Sequence, residues 1–281
     1  MQNLEKLAEL ATTLPAELIE NASALVERMG EVIEGIGDKP VEWRPDLLKV
    51  VQGTSDRSKL PKGATIGSIV IGEEVVEAPY GTIPIRSWIS RQYWDADPEN
   101  ARMLCNSPDG LVGYTHGECK TCPYSRFSEE DNKPQCNKTV TVLSISEGLD
   151  RVYLSNFSKS NFTNGNDWTG VMKKAGVAPY KRVYQLQTET SKKSKNVEVL
   201  FATPKGHTPK ELLPFLEELF KIVGEDRKAM LEAYYNMIKE RGTTRPALDQ
   251  GTGVVLLAAE GSTTTEVLEP AGEAGSKKYA L

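Results

Sequence analysis

Histidine is scarce: His116 and His207 are the only two in 281 residues. Imidazole general-base catalysis and a second, histidine-built metal site therefore have little to draw on. Other enzyme signatures are missing too. There is no Gly-x-x-x-x-Gly-Lys-Ser/Thr phosphate loop, no Gly-x-Gly-x-x-Gly after a strand and no Gly-x-Ser-x-Gly elbow. No apolar run reaches bilayer-spanning length, so a soluble protein without membrane partners is expected. The opening Met1-Gln2-Asn3-Leu4-Glu5-Lys6 lacks the basic and apolar regions of a secretory signal, which predicts a cytoplasmic, reducing location. Hydrophobic residues make up 39%, lean for a fully packed chain of this size, so part of it should be solvated. No internal repeat is visible.

Cysteine is also sparse, but concentrated. Cys105, Cys119, Cys122 and Cys136 fall in one stretch with the spacing C-x13-C-x2-C-x13-C. A Cys-x-x-Cys pair bites a tetrahedral ion, and two outlying thiols complete an S4 shell with no open position. Such a shell predicts one structural Zn2+ rather than a catalytic ion, and the absence of ferredoxin-like spacing favours zinc over iron. His116 is a possible substitute ligand. Disulfides would need an oxidising compartment. A redox pair would need a preceding hydrophobic strand, which the polar loop around Cys119 does not supply. Zinc deaminases carry His-x-Glu well upstream of Pro-Cys-x-x-Cys on separate helices. Here His116-Gly117-Glu118 abuts Cys119, leaving no room for two helices.

The net charge of -5 conceals a polarised chain. Residues 151–210 hold 11 Lys and Arg against 3 Asp and Glu, a net of +8 that leaves -13 for the rest. Tyr153, Phe157, Phe162, Trp168, Tyr180, Tyr184 and Phe201 are interleaved with these cations. Cations that follow a phosphate backbone and rings that stack on bases are the two ingredients of single-strand binding. Lys173, Lys174, Lys181, Arg182, Lys192 and Lys193 are the candidate phosphate contacts. Tyr153, Trp168, Tyr180 and Tyr184 are the candidate stacking platforms. Tyr180, Arg182 and Tyr184 alternate as on one strand, so all three should share a face. Trp88 and Trp94 rank second.

Apolar spacing predicts helix over 2–36, broken at Pro15, as an N-terminal helical segment within 1–42. Strand-length runs follow at Leu47–Val51, Ile66–Ile71, Ile83–Ile89, Thr139–Ile145, Arg151–Leu154, Tyr180–Thr188 and Val197–Phe201. A short helix is predicted over Asn166–Gly176. The expected fold is α+β, an OB-like small β-barrel over 43–207 with a zinc-binding loop inserted at 105–136. Thr208-Pro209-Lys210-Glu211 reads as a capping box opening a C-terminal helical segment over 208–241, broken at Gly224 into a helical hairpin or one kinked helix. Residues 242–281 read as a mobile tail.

The run Trp43-Arg44-Pro45-Asp46-Leu47-Leu48-Lys49-Val50-Val51-Gln52-Gly53, then Gly63, Ile69, Gly72-Glu73-Glu74 and Cys105 through Cys136, resembles a group of bacteriophage zinc-cysteine proteins. The most specific part is Cys105-Asn106-Ser107-Pro108-Asp109-Gly110 with Cys119-Lys120-Thr121-Cys122-Pro123. The resemblance covers about 43–203 and implies an OB-like core that binds single-stranded DNA in phage replication or recombination, within the host cytoplasm.

The expected function is therefore non-enzymatic, sequence-tolerant binding of single-stranded DNA, with replication or recombination proteins as further partners. The alternative is a zinc-loop adaptor that binds a polymerase or another replication or transcription protein through its basic face. A nuclease would need clustered carboxylates, and Asp95, Asp97 and Glu99 are interrupted by Pro98.

Overall fold

The computed structural model describes residues 2–30, 32–34, 40–42, 45–95, 103–126, 134–191 and 197–243. Two helices, α1 (Gln2–Ala11) and α2 (Ala16–Gly30), meet at the Pro15 break. A small hairpin of β1 (Val32–Glu34) and β2 (Pro40–Glu42) follows, so the predicted helix ends before Val32 and Ile33. Both residues are β-branched, which favours the extended conformation.

Next come β3 (Asp46–Val50), β4 (Ile69–Ile71), β5 (Glu74–Val76) and the fifteen-residue β6 (Tyr80–Trp94). β7 (Met103–Ser107), β8 (Val112–Gly113) and β9 (Gly117–Glu118) build the cysteine module. β10 (Cys136–Ser146), β11 (Val152–Ser158), α3 (Phe162–Lys174), β12 (Arg182–Thr190), β13 (Glu198–His207) and α4 (Leu213–Thr243) complete the chain.

One sheet runs in the order β13-β12-β6-β10-β11-β3-β4-β5, with β7 also on β6. It is curled into a half-barrel within a mixed α+β fold that has helices at both ends. β11 and β3 run parallel, and the other neighbours are antiparallel. Opposite the curl, the Gln52 carboxamide spans two elements. Its nitrogen donates to the Glu198 carbonyl at 2.8 Å and its oxygen accepts from the Glu198 N–H at 2.9 Å. One side chain thus occupies the place of a strand-to-strand pair between β13 and the loop after β3.

Both faces of the sheet are covered, which is why its strands read as nearly continuous apolar runs. Inside the curl, Val140, Val142, Tyr153, Phe157, Tyr184, Leu186 and Leu200 pack on Trp168 and Met172 of α3. On the outer face, Ile83, Ile85, Leu143, Ile145 and Val183 pack against Leu7, Leu25, Phe215, Leu216 and Leu219 of α1, α2 and α4. The register between β6 and β10 shifts at Leu143/Ser144, where Arg86 and Pro84 face successive partners and Ile85 is the extra residue. Pro84 explains the site: proline donates nothing to a ladder, so within a central strand it is tolerated at a bulge.

The C-terminal end differs from expectation in two ways. Thr208 does not cap a helix, because its hydroxyl donates to the Tyr180 carbonyl at 2.7 Å. A 3-10 turn at Lys210–Leu212 leads into α4 instead. α4 also continues through Gly224 as one helix. A Cβ at 224 would lie 2.0 Å from Nη2 of Arg86, whose guanidinium covers the Phe220 ring at 3.8 Å and donates to the Phe220 carbonyl at 2.8 and 2.9 Å. Glycine is present there to admit the arginine, not to end the helix. The predicted tail beyond residue 243 lies outside the described residues.

Candidate metal centre and nucleic-acid interface

Strands β6 and β10 carry the cysteine module between them, with Tyr93 opposite Cys136 and also opposite Cys105 on β7. All four cysteines are free thiols, and Cys119, Cys122 and Cys136 are buried. They line one cavity of about 10 Å³, together with Arg91, Ser107, Gly113 and three aromatic rings. That volume is about the size of one water molecule. The backbone is fitted closely to the sulfurs, since a Cβ at Gly113 would stand 2.7 Å from Cys105 Sγ and 3.9 Å from Cys119 Sγ. The Thr115 N–H donates to Cys105 Sγ at 3.5 Å. After the Cys-x-x-Cys pair, the Ser125 hydroxyl stands 2.5 Å from the Cys119 carbonyl and 2.8 Å from that of Cys122, which holds the turn closed.

Burial pushes the Cys119 thiol up and the Cys136 thiol up to about 11, while Arg91 beside them pulls both down. Among the described residues, no three His, Cys, Asp or Glu side chains are already set as a metal-ligand group. The donor set nevertheless suits a soft tetrahedral ion. Four sulfurs converge on one small cavity, one sulfur already accepts a backbone N–H, and an arginine stands near the charge that four thiolates would carry. His116 lines the same cavity. Its ring is exposed and packs on Tyr124, with centroids 4.8 Å apart.

The α4 helix is anchored to this module. Tyr234 Oη stands 2.7 Å from the Asn106 carbonyl and 3.0 Å from that of Val112. Arg227 donates to the Pro108 carbonyl at 2.9 Å and lies over the Trp88 ring at 4.2 Å. Tyr235 donates to Asp109, and this bond raises the phenol to about 12.

The predicted stacking platforms are corrected by their burial. Tyr153 is 0% exposed, Tyr184 1%, Trp168 2% and Tyr180 5%. Tyr153 donates to Thr82 at 2.5 Å, and Trp168 packs edge-on against Phe157 and Tyr184 inside the curl. A base cannot reach these rings without opening the core. Tyr180, Arg182 and Tyr184 do not share a face either. Tyr180 sits in a 3-10 turn, Pro179–Lys181, and packs on Phe220 on the outer side, while Tyr184 points inward.

The cations fare differently. Lys173, Lys174 and Lys181 are exposed and close in sequence at the end of α3 and the turn after it. Arg182 is half-buried, and its Nε meets no acceptor among the described residues. Lys192 and Lys193 lie outside the described residues, as do Asp97 and Glu99. Trp88 is covered by Arg227, whereas Trp94 is 41% exposed.

A partly open ring cluster that sequence reasoning missed as a stacking surface lies on the cysteine module. Tyr93 and Tyr124 stack with centroids 4.6 Å apart and planes 19° apart, and His116 packs on both. Their proximity in sequence to Cys119 and Cys122 was the available signal for His116 and Tyr124. Comparison with protein-family models, curated proteins and solved structures gives no match.

Proposed function

We propose that this chain is a non-enzymatic single-stranded nucleic-acid-binding protein, for DNA more than RNA, built on an OB-like barrel with one structural zinc ion held by Cys105, Cys119, Cys122 and Cys136. The observation that carries the reading is topological. The strands β6, β10, β11, β12 and β13 form a curled sheet in which β6 pairs with both β10 and β12, and α3 is inserted between the third and fourth of them. OB folds grip oligonucleotides on the face of the second and third strands, flanked by the loop between strands one and two and the loop between strands four and five. Here the first of those loops is the cysteine module, and the second contains Lys192, Lys193 and Lys195.

On this reading, Lys173, Lys174, Lys181, Arg182, Lys192 and Lys193 neutralise phosphates. Binding is then sequence-tolerant and salt-steep: six such contacts give a slope of about -4 in log affinity against log salt. The zinc ion supplies folding free energy to a loop too polar to build its own core. Gly113 and the Thr115 N–H shape the sulfur cage, and Arg91 offsets its negative charge.

The test is fluorescence anisotropy of a labelled mixed-sequence single-stranded DNA, at low and moderate salt with duplex competitor, alongside metal analysis of the purified protein. Salt-steep binding that duplex fails to displace, with one zinc per chain, is the expected result. No binding at low salt would overturn the reading. The zinc-loop adaptor would then take its place, favoured by Leu111, which is 64% exposed on the cysteine module.

A further inference from the structure

We infer that bases stack on the ring cluster of the cysteine module, Tyr93, Tyr124 and His116, rather than on the aromatic residues of the basic segment. The inference rests on the proposed single-strand binding and adds where the bases go. Tyr153, Trp168, Tyr180 and Tyr184 are at most 5% exposed, so stacking has to use other rings. Tyr93 and Tyr124 are partly open, His116 is exposed, and the three already pack on one another with centroids 4.6 to 5.9 Å apart. A nucleobase added at the open side extends a stack that the protein has begun, and stacking is indifferent to base identity.

A second observation points to phosphate on the same face. Arg91 and Lys138 sit directly opposite each other on β6 and β10, and alternation places them on the side that carries Tyr93 and Cys136. Like charges directly opposite across a ladder repel. Arg91 lines the thiol cavity, which gives it a partner there, whereas Lys138 is exposed and, among the described residues, reaches over the Phe162 ring, 5.4 Å away. Lys138 is therefore placed for a phosphate beside the rings. Exposed Arg126, two residues beyond Tyr124, adds a further cation, and the acidic neighbours are Glu118, hydrogen-bonded to Thr121, and Asp95, whose charge acts on Tyr93.

The rings also line the thiol cavity, so a binding role has to be separated from a shielding one. Tyr124→Ala should weaken binding of a dT oligomer about tenfold, about 1.4 kcal/mol, with one zinc per chain retained, and Tyr124→Phe should restore it. Photo-cross-linking of unmutated protein to a 5-iodouracil oligomer provides a readout that no folding defect can confound. The expected adducts fall on peptides containing Tyr93 or Tyr124. Adducts confined to other peptides, or unchanged affinity in Tyr124→Ala, would overturn the inference while leaving single-strand binding intact. Failure of the unmutated protein to bind the oligomer at all would instead remove the reading beneath it.

Discussion

Removing one hydroxyl from α4 should loosen half of that helix and leave the other half untouched. The first half of α4 is fixed by the outer core, where Phe215, Leu216 and Leu219 are 0% exposed and Ile222 is 6% exposed. Beyond Gly224, Arg227, Tyr234 and Tyr235 all reach the cysteine module. Tyr234 is 6% exposed, and its hydroxyl serves two backbone carbonyls at 2.7 and 3.0 Å. In Tyr234→Phe the ring still packs, but the one hydroxyl proton that the two carbonyls share is lost, while the Asn106 carbonyl keeps the Tyr114 N–H at 2.9 Å, at a cost of about 1–2 kcal/mol. Local opening of the second half should then rise about 5- to 30-fold. Amide hydrogen exchange read by mass spectrometry would show faster exchange over 227–240 and on the Asn106–Val112 loop, with 213–222 unchanged. Equal acceleration of both halves, or none in either, would refute the assignment of separate anchors.

Three further outcomes are expected. Gly224→Ala should destabilise unmodified protein by about 1 kcal/mol because it evicts the Arg86 guanidinium, yet stabilise an Arg86→Met background by about 1 kcal/mol through helix propensity; the same sign in both urea titrations would contradict this. Gln52→Leu should cost about 2 kcal/mol by leaving both Glu198 backbone groups without partners, with Gln52→Glu falling between the two, and a Leu variant as stable as the parent would remove the bridging role. Lys6 bonds to buried Glu218 at 2.8 Å and, as the main cause, holds its carboxyl below the ordinary 4.5. A depressed carboxylate stabilises the fold above its unfolded value and loses that contribution as pH falls through the folded one. Lys6→Met should therefore cost about 1 kcal/mol at pH 7 and progressively less below pH 4.5, and a cost independent of pH would exclude the ion pair as its source.

Strand existence was legible where composition was strongly β-branched, as in Thr139–Ile145 within β10 and Leu47–Val51 beside β3. The full length of β6 was not, because Ser90, Arg91 and Gln92 look like loop residues and are kept extended by pairing with β10 and β7. The two misplaced rings on strands, Tyr153 and Tyr184, have one physical cause. When both faces of a sheet are buried, alternation cannot separate an inward tyrosine from a solvent-facing one, and α3 closes the curl over Tyr184 with its own Trp168. Gly224 misled for a related reason: its partner, Arg86, lies far away in sequence. The cysteine set was legible because ligand chemistry is written in residue type and spacing, whereas the rings around it are brought together only by the β6–β10 pairing.

β6 is a cantilever. At about 3.3 Å per residue its fifteen residues span roughly 50 Å, with one end a stave of the half-barrel and the other a wall of the thiol cavity. The cysteine module is therefore not a pendant on a tether, and its orientation relative to the sheet is set by a continuous ladder rather than by a joint. A graft of this module onto another β protein needs a long two-stranded ribbon as its mount, and severing at Asp95 and Cys136 would transplant the ligands without the scaffold that aims them.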